Sequence, residues 1–320
     1  MRWSKVISRF KQFGGVRLLA AYTRMGMARC VMTEAMKLIL GRTSRDEAYA
    51  VIRRAANRRL QAQYADFIVE RKEAYEDGRV VRDDVKGMRE DGSRMVWTCW
   101  LQGFDKAPAM VQACQASMRN CLTDRENIQL TYENYTDYVT LPEHIVRKYE
   151  HGLMPPALFA DLLRLEVLIQ HGGTWMDATM FCTDAGLLEK DSWLQEIMDC
   201  DLFMFQALRK GDSRFWGISN WFITARPGCR PLMVLRDVLT KYWQDYSVTL
   251  DYYMFHDFFN AIARLYPEEI AAMPRRNRLG PLRLMQGKGY VLTGDGLTLK
   301  DEAWVKELTK RVMVHKLDYK

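Results

Sequence analysis

Residues 94–101 form an apolar, β-rich run that predicts a first strand, closed by Gln102 and Gly103. Residues 108–121 read as a helix. Over 127–132, Ile128 and Leu130 alternate with polar neighbours, which predicts a second strand. Strand, helix and strand in that order point to a βαβ unit and a mostly parallel sheet. Pro155 and Pro156 precede a helix over 157–170 whose apolar positions run almost fully round its circumference, so it is expected to be well buried. Gly172 and Gly173 stop it as a C-terminal glycine cap. Residues 174–182 then read as one central strand, apolar on both faces. Later strands are expected near 201–206 and 220–225, and helices over 231–243 and 252–266.

The first 60 residues read as amphipathic helices. Val6, Ile7 and Phe10 alternate with Lys5, Arg9 and Lys11, and Met25, Val31, Met32, Met36, Leu38 and Ile39 give a second stripe. Residues 61–92 read as a polar helical connector, with Gly78, Gly87 and Gly92 marking a boundary. The expected organisation is a basic helical extension over 1–92 and a second, α/β domain over 93–320.

Charge sharpens this division. Residues 1–60 hold 14 Lys and Arg against 3 Asp and Glu, a balance of +11, whereas the remaining residues sum to −4. Such a segment suits an anionic membrane surface, or a solvated hairpin packed on the main domain. No nucleic acid partner is expected, because no nucleic-acid motif accompanies the charge. The seven cysteines include no CxxC pair, a pattern of reduced structural thiols in a cytosolic protein. Neither a secretory signal nor an apolar run of about 18 residues is visible, so a cytoplasmic protein, peripheral on the inner membrane face, is the expectation.

The candidate chemistry starts from carboxylates inside apolar elements. Asp161 and Arg164 are three apart on the buried helix and share a face, either as structural partners or as groups that hold a nucleotide's hydroxyls and phosphate. Asp177 is the only carboxylate over 174–182, and strand alternation sets it on one face with Trp175, Thr179 and Phe181. Either it lies in a surface turn or it points into the crevice at the carboxyl end of a parallel strand, where Mg²⁺ or Mn²⁺ with substrate phosphates would meet it.

Three ordered motifs carry a resemblance: Trp97-Thr-Cys-Trp-Leu-Gln-Gly103, Ala160-Asp-Leu-Leu-Arg-Leu165 and Gly172-Gly-Thr-Trp-Met-Asp-Ala-Thr179. Ser219-Asn-Trp-Phe222, Asp251-Tyr-Tyr-Met-Phe-His256 and His315-Lys-Leu-Asp-Tyr-Lys320 extend it. Over 94–320 the chain resembles the capsular polysaccharide synthesis family of glycosyltransferases, related to sugar-transferring clostridial toxins and yeast initiating mannosyltransferases.

The resemblance implies an α/β fold of GT-A type, Rossmann-like, with a mostly parallel sheet flanked by helices. It implies transfer of a hexosyl unit from a UDP- or GDP-type donor to a hydroxyl of a glycan or glycolipid acceptor, with retention and with Mn²⁺ or Mg²⁺. Trp97 or Trp100 would stack the base, Asp161 and Arg164 would contact sugar or ribose, and Gly172 and Gly173 would border the donor. Asp177 would carry the metal, and Asp177, Asp251 and Asn220 are the candidate catalytic residues. Thr179 stands where a full DxD motif has its second acid, so a third ligand is wanted. His315 is the candidate, with Lys316 beside it for phosphate. Trp221 and His256 would sit on the acceptor side. Asp251 and His256 lie roughly 140° apart on a helix and can share a site only if the helix starts after Asp251. The weakened motif leaves an alternative: an inactive or weakly active nucleotide-sugar-binding protein of the same fold.

Overall fold

A computed structural model describes residues 15–79, 94–183, 193–207, 217–293 and 296–318. The stripe of Val6, Ile7 and Phe10 and the glycines at 87 and 92 lie outside the described residues. Contacts gather the chain into two compact units, one of residues 1–81, 141–162 and 234–265, the other of 82–140, 163–233 and 266–320. The N-terminal helices therefore group with two later segments that sequence continuity had assigned to the 93–320 domain.

The first unit is helical. It contains α1 (Gly15–Arg24), α2 (Ala28–Ile39) and the 32-residue α3 (Arg45–Glu76). Ser44 starts α3 with a capping box, its hydroxyl accepting from the Glu47 N–H while the Glu47 carboxylate accepts from the Ser44 N–H. The amphipathic segment and the polar connector thus share one continuous helix up to Glu76. Its inner face carries Leu60, Tyr64 and Ile68, all buried, with Tyr64 edge-on to Phe258 at 5.5 Å. Three polar ties fasten the same face. Arg53 meets Asp251 at 3.0 Å, the Tyr64 hydroxyl donates to Asp245 at 2.9 Å, and Arg71 meets Asp237 at 2.6 Å. Their spacing of 11 and 7 residues is close to whole helical turns, which is why one helix can satisfy all three.

Asp257 shares this cluster, with Arg53 at 3.8 Å. Burial, then the charge of Asp251, push its carboxyl up from 3.8 to about 6. A raised carboxyl pKa means the folded state holds the proton more tightly, so stability falls as pH rises from about 4 to 6 and the cost persists above. The shift, which already includes the opposing charge of Arg53, corresponds to a ceiling of about 3 kcal/mol that partial exposure reduces. Asp257→Asn is therefore expected to raise stability by about 1 kcal/mol at pH 7.5 and to change it little at pH 4. Thermal melts at the two pH values check this, and an Asn variant less stable than the parent at pH 7.5 contradicts it.

The second unit is built on a five-stranded sheet in the order β2-β1-β3-β6-β5. The strands are β1 (Met95–Cys99), β2 (Glu126–Leu130), β3 (Gly173–Met176), β5 (Leu202–Gln206) and β6 (Ile218–Ala225). Four run in one sense and β6 runs against them, since β1 is parallel to β2 and β3 while β6 is antiparallel to both β3 and β5. The expected βαβ unit is present, with α4 (Ala109–Cys121) joining β1 to β2. In chain order α5 (Glu143–Glu150), which groups with the first unit, and α6 (Pro156–His171), which groups with this one from residue 163 on, precede β3. The segment 163–169 of α6 is buried throughout, as all-round hydrophobicity requires.

One expected element is two. Residues 174–182 split into β3 and a separate strand β4 (Met180–Cys182), which pairs with β9 (Val314–Lys316) in another sheet. A turn at 177–180 breaks the run, with the Met180 N–H donating to the Asp177 carbonyl at 2.9 Å. Strand alternation stops where the turn begins, so it is the turn and not one continuous strand that brings Trp175, Asp177 and Thr179 together, with the Trp175 indole on Asp177 and Lys316 reaching both Asp177 and Thr179. The remaining strands, β7 (Tyr290–Thr293) and β8 (Gly296–Leu299), make an antiparallel pair.

Candidate functional site

The chain reverses its direction of travel across the sheet between β1 and β3, and ligand crevices in open α/β sheets form outside the carboxyl ends of strands at such a point. Asp177 follows the last residue of β3, and Trp100 follows the last residue of β1. The antiparallel β6 brings its early residues to the same end, with Met176 opposite Phe222 and the Asp177 N–H donating to the Trp221 carbonyl at 2.9 Å.

Asp177 is the hub. Its Oδ1 accepts from the Trp175 indole at 3.1 Å and from Arg164 at 3.4 Å, and its Oδ2 faces the Lys316 ammonium at 3.2 Å. About a quarter of the side chain, 26%, stays exposed. Burial opposes its ionisation, but Lys316 and then Arg164 outweigh that, and the carboxyl is held below the usual range. Arg164 is fixed on two further sides, donating to the Asn220 carbonyl at 2.6 Å and lying 4.9 Å over the Trp175 ring. Lys316 also donates to the Thr179 hydroxyl. Two cations, Arg164 and Lys316, thus converge on one carboxylate at a sheet end.

Backbone constraints set this geometry. Gly172 has φ +71° and a Cβ there would lie 2.6 Å from Pro227 and 3.1 Å from the Ala225 carbonyl, so only glycine lets α6 turn directly into β3. Gly173 follows with φ +93°. Behind the turn at 177–180, Gln115 donates to the Ala178 carbonyl at 3.3 Å and accepts from Gln129 at 3.1 Å. Sequence reasoning missed Gln115. Its signal was a lone amide among the apolar positions of α4, which needs a polar partner once buried.

Several expected site residues do other work. Trp97 is 0% exposed and its indole donates to the Gly172 carbonyl at 2.9 Å, so it has no face for a base and instead holds the glycine turn. The half-buried Trp100 keeps part of its surface. Trp221 is buried and stacked on Phe205 at 4.9 Å, which makes it a core residue instead of an acceptor platform. Asp161, Asp251 and His256 belong to the first unit. Asp161 is buried there. Asp251 does precede its helix, which runs Met254–Ile262, but it is 2% exposed, with both oxygens on Arg53 and Oδ1 on the Tyr253 N–H. That occupancy makes it an anchor for α3. His256 is half-buried beside Tyr253 and Phe255.

His315 lies within β9, next to Lys316, and adjacent strand residues point to opposite faces. Lys316 takes the Asp177 side. The His315 ring is 0% exposed, 3.2 Å from the Thr183 hydroxyl, and burial pushes it down to about 4. The ring thus lies beside Thr183, whereas Lys316 is the neighbour that reaches Asp177 and Thr179. Among the described residues no group of three His, Cys, Asp or Glu side chains can hold a metal. The Asp177 carboxylate and the Thr179 hydroxyl are the two oxygen groups that Lys316 bridges at this end of the sheet.

Compared with known families, residues 42–320 match the model described as capsular polysaccharide synthesis protein. The match starts well before residue 94 and takes in α3. The search of curated proteins gave no match.

Proposed function

Since the chain belongs to the capsular polysaccharide synthesis family, we propose that it is a glycosyltransferase that moves a hexosyl unit from a nucleotide-sugar donor to a hydroxyl of a surface glycan. The observation that carries this reading is the pair of cations, Arg164 and Lys316, meeting on Asp177 just past the carboxyl end of β3. A nucleotide-sugar presents a diphosphate, and the bond that breaks leaves additional negative charge on it. A guanidinium locked by Asn220 and Trp175 can stabilise that charge without rearrangement. Lys316 can turn from Asp177 and Thr179 to a phosphate oxygen by rotating its flexible stem.

In this reading the bond from the anomeric carbon to the donor phosphate breaks and one to the acceptor oxygen forms. The acceptor's proton passes to the leaving phosphate, so retention needs no separate base. A Mg²⁺ or Mn²⁺ ion would be held by Asp177, Thr179 and the donor's phosphates, and would supply further positive charge at the leaving group. Trp100 would border the base, and Asn220 would lie on the acceptor side.

Incubation with a panel of UDP- and GDP-sugars and Mn²⁺ tests the proposal. Release of nucleotide above the buffer rate from at least one donor is expected. The substitution of a threonine for the second acid favours one competing reading, a binder without turnover. Nucleotide binding with no release from any donor would establish that reading, and absence of nucleotide binding would remove both.

A further inference from the structure

Seven of the fifteen exposed large apolar side chains of the described residues lie between residues 16 and 40. They are not scattered. Met32, Met36, Ile39 and Leu40 follow the i, i+4, i+7, i+8 pattern and share one face at the outer side of α2, with Ile39 78% and Met32 71% exposed. Val16 and Leu19 are three apart on α1. The inner side of α2 behaves in the opposite way, since its buried residue is Glu34, neutralised by Lys37 at 2.7 Å. A helix that exposes methionine and isoleucine and buries a paired glutamate is inside-out for a protein surrounded by water.

Charge identifies what covers the face. Over residues 15–45 there are six Lys and Arg and a single acid, the buried Glu34. Arg17, Arg29, Arg42 and Arg45 are exposed on this same segment of the chain. A protein partner of ordinary composition would not require this excess of exposed cations, whereas an anionic bilayer meets both features: its acyl region takes the apolar side chains and its headgroups take the arginines. No described helix is long and apolar enough to cross a membrane, so the contact would be with the surface alone.

We infer that the outer face of α1 and α2 is an in-plane membrane anchor selective for anionic lipid. Apolar insertion and headgroup attraction act together, so neither neutral lipid alone nor charge alone gives full binding.

The test uses the full chain with sedimentable vesicles of neutral phosphatidylcholine, with and without about 30% phosphatidylglycerol, a composition chosen to set a clear surface potential. Binding to the anionic vesicles is expected, at least ten times stronger than to neutral ones and weakened by salt. The double variant Met36→Glu, Ile39→Glu should lose binding about tenfold or more with an unchanged melting temperature, because both side chains already face solvent. Nucleotide release from a soluble donor should be unaffected. Binding that is equal on both vesicles, or unchanged in the double variant, overturns the inference. So does a dimer in solution that the same substitutions disperse, which would assign the face to a second copy of the chain.

Discussion

Lys316→Met is expected to lower glycosyl transfer by two to three orders of magnitude, the range seen when one preorganised donor to a developing anion is removed. The same substitution should increase the affinity of the free protein for Mn²⁺. Lys316 occupies both atoms a metal would use, the Asp177 Oδ2 and the Thr179 hydroxyl, so its removal frees them. Opposite movements of metal affinity and rate separate an electrostatic role from a structural one. If Lys316 merely held β9 against the turn at 177–180, its loss would weaken both. Mn²⁺ titration and steady-state kinetics on the one variant decide the matter. Transfer within a few-fold of the parent removes Lys316 from the phosphate site.

Asp177→Asn has the second large effect, a loss of transfer of at least about 10²-fold in the presence of Mn²⁺, with little change in fold. Asparagine keeps an acceptor for the Trp175 indole, and Arg164 retains the Asn220 carbonyl and the Trp175 ring. What disappears is the negative charge that draws Lys316 and a metal. Two cations then remain without their shared counter-charge, so a nucleoside diphosphate in EDTA should bind the variant at least as tightly as the parent. A transferase that loses turnover while keeping or gaining diphosphate affinity has lost a metal-positioning group. Parental turnover in this variant would dismiss Asp177 from the chemistry.

The parts of this site that were legible in sequence are those fixed by local constraint. Paired glycines after an apolar helix announced the turn at Gly172, and a lone carboxylate in an apolar run announced Asp177. The parts that were not legible depend on where distant segments return. Nothing local said that 174–182 would be cut by a turn, since Ala178 and Thr179 suit a strand as well as a turn. Nothing local revealed that β9 would pair with β4 and so send His315 and Lys316 to opposite faces. Trp97 and Trp221 misled for a related reason: a tryptophan beside a site motif looks the same whether its ring faces a ligand or the core. Asp251 could not be matched with Arg53, 198 residues away, without the fold. The exposed stripe on α2 was visible as an apolar pattern, but only the structure shows that it faces outward.

Isothermal titration of UDP and GDP into the parent protein and Lys316→Met, each with EDTA and with Mn²⁺, tests the central claim that this cluster receives the donor's diphosphate. The account predicts that at least one nucleotide binds the parent in EDTA, binds more tightly with Mn²⁺, and binds Lys316→Met at least about tenfold more weakly in EDTA, the cost of one charge-assisted contact to phosphate. Equal affinity of the two proteins for the nucleotide would place the diphosphate elsewhere and contradict it.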